Sequence, residues 1–414
     1  MRLQFITRRL ALCLLLVMSS LAFPACAKEH KAEQSAADRP LTLQEKKELA
    51  TYRAKLAAYK KARKPYEKKA SAYWRRIVSK RKHRRKKRAR GHTIKLTDYV
   101  LDQPPEYSGP PKPVQPPFMR KKKKKKLRRG IPVVADFLRY SKKYFKFKPD
   151  MPKSEIEFKR AYAWAALSVG ISREQAVRIY GFESSGNGHY NVQAGREKPG
   201  SKRPAISTAL GYNQLLATNT LSLLANHGKV FLRAVDQMAK QAKGRDRQRM
   251  KEKYAKLKQM IAFSRRGRNN WYAHARLART SKGRGVHALN LDVDIGPMLQ
   301  VQKLLNSIHF ARRGGNSREL AAAELEVMNL MGDGSGLDVV LMPHRMRDKV
   351  PTANFFQRRG YERNPIVIRN NVVSSLLTAM NRVMDKQMTL PGAKDMAAAF
   401  NAAIAARAEK NGGR

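Results

Sequence analysis

One short stretch of this 414-residue chain puts a carboxylate where it could do acid–base work. Residues 171–183 read ISREQAVRIYGFE; Ala176, Val177, Ile179 and Tyr180 recur at helical spacing, and Glu183 falls on the same stripe. A glutamate on the buried side of a helix end is unusual, because desolvation disfavours its charged form. The resulting rise in pKa is what a general acid working near neutral pH requires. Ser184 and Ser185 follow, and then Gly186 and Gly188, which end the helix and open the backbone near the carboxylate. After a basic insert comes Gly211-Tyr212-Asn213-Gln214-Leu215. Gly211 lets backbone approach a ligand closely, and Gln214 offers both donor and acceptor to an amide-bearing partner. Taken alone, this second stretch reads equally well as a Gly-marked helix start with incidental polar residues.

The elements that must position these groups are helices. Ser172 with Gln175 has the form of a capping box, as does Ser154 with Glu157 ahead of an amphipathic helix closed by Gly170. A tight turn then delivers the chain to the Glu183 helix. Residues 189–207 read as a long loop or small hairpin, 220–260 as helical, and 267–285 as a basic connector whose Trp271 and Tyr272 pack beside a helix or stack on sugar rings. Residues 291–299 lead into a further helix, 351–365 are loop-like, 366–388 form an apolar-periodic helix, and 393–410 a final Ala-rich one. The fold class expected is mainly α.

Glu183-Ser184-Ser185 followed by Gly211-Tyr212-Asn213-Gln214-Leu215 resembles the soluble lytic transglycosylase family, whose core is a goose-type-lysozyme-like helical domain. The resemblance covers about residues 155–385. It implies a lysozyme-like domain and, as activity, cleavage of the β-1,4 bond between N-acetylmuramic acid and N-acetylglucosamine in peptidoglycan, leaving an anhydro-muramic end. Glu183 would be the single acid and base, as in substrate-assisted glycosidases, with Ser184, Gly211, Tyr212, Asn213, Gln214 and Asn329 contacting substrate. Asn329 matches the Asn of the family's Tyr-Asn-Ala-Gly motif. Met328 stands where the tyrosine would be, and Tyr190, Tyr212 and Tyr361 are the residues that would replace it. Gly186 and Gly188 stand where the family has an aromatic and Pro. These departures keep a second reading open, a weak or inactive lysozyme-like domain that binds peptidoglycan.

Composition sets the context. A formal net charge of +56 predicts adhesion to polyanions. Residues 1–27 read as a secretory signal: Arg2, Arg8 and Arg9 lead an apolar run from Leu10 to Met18, then Ala25-Cys26-Ala27. Phe23-Pro24 is a poor context for lipidation at Cys26, so ordinary cleavage and a periplasmic or envelope location are expected. Nucleic acid would be the default partner for such charge, but export turns the expectation to peptidoglycan strands and to anionic envelope polymers or lipids. Residues 28–150 read as a basic, Pro-rich N-terminal region and linker, partly disordered and partly helical, 151–390 as the lysozyme-like domain, and 391–414 as a C-terminal helix and tail. The chain has no HExxH, Cys-x-x-Cys, phosphate-binding Gly-rich loop or Gly-x-Ser-x-Gly elbow, and its histidines lack ligand spacing. No metal and no cofactor is expected. Residues 333–338 read as a turn rather than a calcium loop.

Overall fold

The computed structural model describes residues 40–119, 130–196, 201, 203–268 and 270–412, with side chains up to 409. The expected signal segment, the six-lysine run and the centre of the basic insert lie outside them. The protein is mainly α, as expected. Among the described residues extended backbone makes only isolated bridges, pairing Gln193 with Arg196 and Leu210, Leu210 with Leu215, and Pro351 with Val372. No described helix is long and apolar enough to cross a membrane. The chain divides into two compact units, one of Met1–Ala58 and Pro111–Lys123, the other of Tyr59–Pro110 and Lys124–Arg414. Helix α1 (Leu43–Ala89) contributes its first part to one and the remainder to the other.

In the larger unit, α2 (Val134–Phe145) is followed by α3 (Glu155–Ser168) and α4 (Arg173–Ser184). The capping box of α4 is present: Gln175 N–H donates to Ser172 Oγ at 3.3 Å and Ser172 N–H to Gln175 Oε1 at 3.1 Å. Such a cap is worth about 1 kcal/mol. At α3 only half of it forms. Ser154 accepts from Glu157 N–H at 3.3 Å, while Glu157 takes the amide of Lys153. Ala176, Val177, Ile179 and Tyr180 are all fully buried, so the apolar stripe that carries Glu183 is the core face of α4.

The span expected to be helical at 220–260 is two helices, α5 (Ala217–Gln241) and α6 (Gly244–Arg265), packed on each other and broken where Gly244 takes φ 53°. The connector is also helical, as α7 (Trp271–Arg279) and α8 (Ser281–His287). Its caps are Asn270 and Thr280, each accepting an amide three residues on. Then come α9 (Gly296–Arg313), α10 (Ala322–Met331) and α11 (Asp333–Val340), so Asp333 opens a helix instead of a turn. The short helices α12 (His344–Arg347), α13 (Arg358–Tyr361) and α14 (Pro365–Arg369) precede α15 (Val373–Met388) and α16 (Pro391–Gly412). The helix expected at 366–388 is thus interrupted, at Asn370, and Val372 caps its second part.

Two expected boundaries are overturned by packing. The segment 391–414 is not a separate tail: Ala393, Met396, Ala399, Phe400 and Ala403 of α16 are buried in the same core as α3 and α4. Nor does 59–110 stand apart from it, although 28–150 is expected from the sequence to form one N-terminal region. Ala70, Tyr73, Trp74 and Ile77 of α1, with Tyr99 and Val100 beyond it, join that core, and Phe137, Phe145 and Phe147 are buried around α2. Few apolar residues suffice because ions complete the seal. Arg84 is fully buried, bonded to Asp338 at 3.3 Å and to the carbonyls of Asp98 and Asn354 at 3.1 and 3.0 Å. Asn354 in turn pairs with Val100 in both directions, accepting its N–H at 3.0 Å and donating to its carbonyl at 2.7 Å. The Pro-rich spacer is therefore fixed at its start.

Candidate active site

Glu183 stands in the last turn of α4, where Ser185 with φ 55° caps the helix and the amide of Gly186 returns to Gly181 at 3.0 Å. Gly186 is required there. With φ +69°, an added Cβ would lie 2.7 Å from the Gln387 carbonyl at the end of α15. The α4 terminus is thereby pressed against α15, with Glu183 directed at α10.

Two α10 side chains receive it. Asn329 Nδ2 donates to Glu183 Oε1 at 2.6 Å and to Glu326 Oε1 at 3.3 Å, so one amide nitrogen bridges the two carboxyl groups. Glu326 is buried, and its Oε2 has no hydrogen-bond partner among the described residues. Burial pushes the Glu183 carboxyl above its ordinary value, against the opposing pull of Glu326, the Lys303 ammonium and Asn329. Burial and then the neighbouring Glu183 charge push Glu326 well above the usual carboxylate range. Such a pair titrates as a unit and retains a proton that an isolated glutamate would have lost.

Of the expected site residues, Glu183 and Asn329 are brought together. The others are not. Tyr212 is fully buried and its hydroxyl is committed to Glu155, its ring packed edge-on against Phe158, Tyr162 and Tyr180. Asn213 is buried too, bonded to Gln300 at 2.8 and 3.0 Å and to the Tyr162 hydroxyl. These two residues are corrected from sugar contacts to core polar groups, because the Gly211 turn drives them inward. Gly211 itself, at φ +79°, has Gln300 and not open space where a Cβ would be. Gln214 takes φ 43° and donates to the Gly211 carbonyl at 2.8 Å, and Ser184 donates to the Tyr180 carbonyl at 2.5 Å. The turn expected to meet substrate is a brace between α3 and α9.

None of the three candidate tyrosines takes the place of the missing one. Tyr212 serves Glu155, Tyr361 lies against Trp74 and Phe356, and Tyr190 stacks on Phe158. Glu326 and Asn329 hold Glu183 instead. Glu326 went unnoticed in the sequence, although its signal matches that of Glu183: a glutamate on the apolar face of a helix (AAELEVM) with no cation at helical spacing. Nearby Glu324 differs, since Arg318 grips it at 2.6 and 2.7 Å and holds its carboxyl low against burial. No group of three or more metal-ligating side chains occurs among the described residues. His287 is a core group, pushed down to about 4 by burial and bonded to the Thr208 carbonyl at 2.8 Å. Comparison of the chain with family models, curated proteins and solved structures finds no match.

Proposed function

We propose that the protein is a lytic transglycosylase acting on peptidoglycan, with Glu183 as its single acid and base. The observation that carries this reading is the Glu183–Asn329–Glu326 cluster, a carboxyl pair poised to give up one proton and held by an amide from a distant helix. The pairing also argues against an ordinary two-carboxylate hydrolase. Glu326 is buried and both carboxyls accept from the one Asn329 nitrogen, whereas a glycosidase's two carboxyls face the sugar from either side of the scissile bond. Glu326 cannot flank the scissile bond opposite Glu183. Its carboxyl is instead tied to Glu183 through the shared Asn329 amide.

In the first step Glu183 protonates the oxygen linking N-acetylmuramic acid to N-acetylglucosamine as the C1–O bond breaks, and the substrate's acetamido carbonyl closes on C1. In the second, the Glu183 carboxylate takes the proton of the muramyl C6 hydroxyl, O6 attacks C1, and the anhydro ring forms as the acetamido group leaves. Glu183 ends protonated, as it began, and no water is consumed.

A weak or inactive peptidoglycan-binding domain is favoured by one observation: Tyr212, Asn213, Gln214 and Ser184 all spend their polar groups inside the protein. Release of soluble muropeptides from purified sacculi separates the two readings. Release by the wild type that is lost in Glu183→Gln supports the enzyme; sedimentation with sacculi and no release by either supports the binding domain.

A further inference from the structure

The cations of α1 sort by face. On its inward stripe, Tyr66, Ala70, Tyr73 and Ile77 are continued at the same spacing by Arg81, Arg84 and Arg88. Each of these arginines meets an acceptor: Arg81 the carbonyls of Asn354 and Phe356, Arg84 and Arg88 the Asp338 carboxylate. On the opposite stripe lie Lys61, Lys64, Lys68, Arg75, Lys82 and Lys86, all exposed and without an ion pair or hydrogen bond among the described residues. From Lys68 to Ala89 the sequence holds no acid at all. Like charges at i,i+4, such as Lys64 with Lys68 and Lys82 with Lys86, each cost a helix about 0.2–0.5 kcal/mol. The chain carries that cost on one face while compensating every cation on the other.

We infer that this outer stripe is a rail for an extended acidic polysaccharide. At 1.5 Å per residue, Lys61 to Lys86 spans about 37 Å along the helix. Its inner face is clamped to the core through buried Arg84, so the row is presented rigidly. No aromatic residue stands in the row for bases to stack on, and single-stranded nucleic acid relies on such stacking. Val78 is the one large apolar residue exposed beside it, too little for insertion into a bilayer. Lysines predominate over arginines, giving a row of hydrated point charges that imposes no fixed bidentate geometry on the acid groups it meets. The inference is independent of the Glu183 chemistry.

The test uses the full chain and polyuronate oligosaccharides of graded length, with duplex DNA and anionic phospholipid vesicles as competing arms. A rail variant (Lys64→Gln, Lys68→Gln, Lys82→Gln and Lys86→Gln together) is compared with a control of equal charge loss (Lys229→Gln, Lys243→Gln, Lys251→Gln and Lys258→Gln). The expected result is polyuronate affinity that rises with length and then levels, falls about tenfold or more in the rail variant with a shallower salt dependence, and changes little in the control. Equal losses in both variants would reduce the effect to net charge and overturn the inference. So would rail-dependent binding that prefers DNA or vesicles to polyuronate. Helicity measured by circular dichroism confirms that both variants fold, since glutamine is a good helix former.

Discussion

Asn329 on α10 reaches Glu183 at the end of α4 across 2.6 Å, joining residues 146 positions apart in the chain. The contact exists because α4 and α10 pack in one core with α9 and α15, so the carboxylate and its donor are both placed by helices and neither by a loop. A site built on packed helices keeps its geometry more closely than one on a loop.

Removing the donor tests its part directly. Asn329→Leu keeps the volume and deletes the amide. A hydrogen bond to a charged or charge-sharing group is worth about 1.5–3 kcal/mol, so muropeptide release is expected to fall roughly 10- to 100-fold with the thermal midpoint little changed. Undiminished release would remove Asn329 from the site.

The pH dependence follows from the raised carboxyls. Both folded values lie above the ordinary 4.5, so the folded chain binds their proton more tightly than the unfolded chain. That stabilisation is complete below the unfolded value and is lost as pH rises through the folded one. Glu326→Gln deletes one of the two carboxyls. Its thermal midpoint should decline less steeply than the wild type's above pH 4.5. The replacement amide donates to the Glu183 carboxylate and favours its ionised form, so the alkaline limb of the rate profile should move to lower pH, costing on the order of tenfold in rate at pH 8. Parallel stability and rate profiles in the two proteins would show that the carboxyls do not share a proton.

Asp338 anchors α1 to α11 through Arg84 and Arg88. Asp338→Asn leaves a fully buried guanidinium without its counter-charge, a change that costs about 3–5 kcal/mol. Denaturant unfolding should show that loss, and amide exchange should show residues 70–88 opening first. An unchanged midpoint would mean that α1 is not docked through this pair.

At Gly211, φ +79° and the nearness of the Gln300 amide, 2.4 Å from an added Cβ, leave no room for a side chain. Gly211→Ala should destabilise by about 1–3 kcal/mol and lower activity only in step with folded fraction. A large loss of rate at full folding would return this turn to the substrate site.

Much of the fold was legible. Helix starts at Ser154 and Ser172 carry local chemistry, and the stripe that buries Glu183 is periodic. The docking of α1 was not, because its inner face is half arginine, and a guanidinium reads as solvated until its acceptors (Asp338, Asn354, Phe356) arrive from some 250 residues away. Of the site, Glu183 and Asn329 were legible through the motif resemblance. The inward turn of Tyr212 and Asn213 was not, since a Gly-Tyr-Asn-Gln stretch has the same polarity whether it faces a sugar or braces Gln300 and Glu155. Glu326 was legible in principle, by the same reasoning that singled out Glu183.

The most direct test of the central claim is the mass of the muramyl terminus released from purified peptidoglycan by the wild-type chain. Lytic transglycosylase chemistry predicts 1,6-anhydro-muramic ends, lighter than reducing ends by one water, and their disappearance with Glu183→Gln. Reducing ends that depend on Glu183 would instead show that water takes the place of the C6 hydroxyl, contradicting the proposed second step.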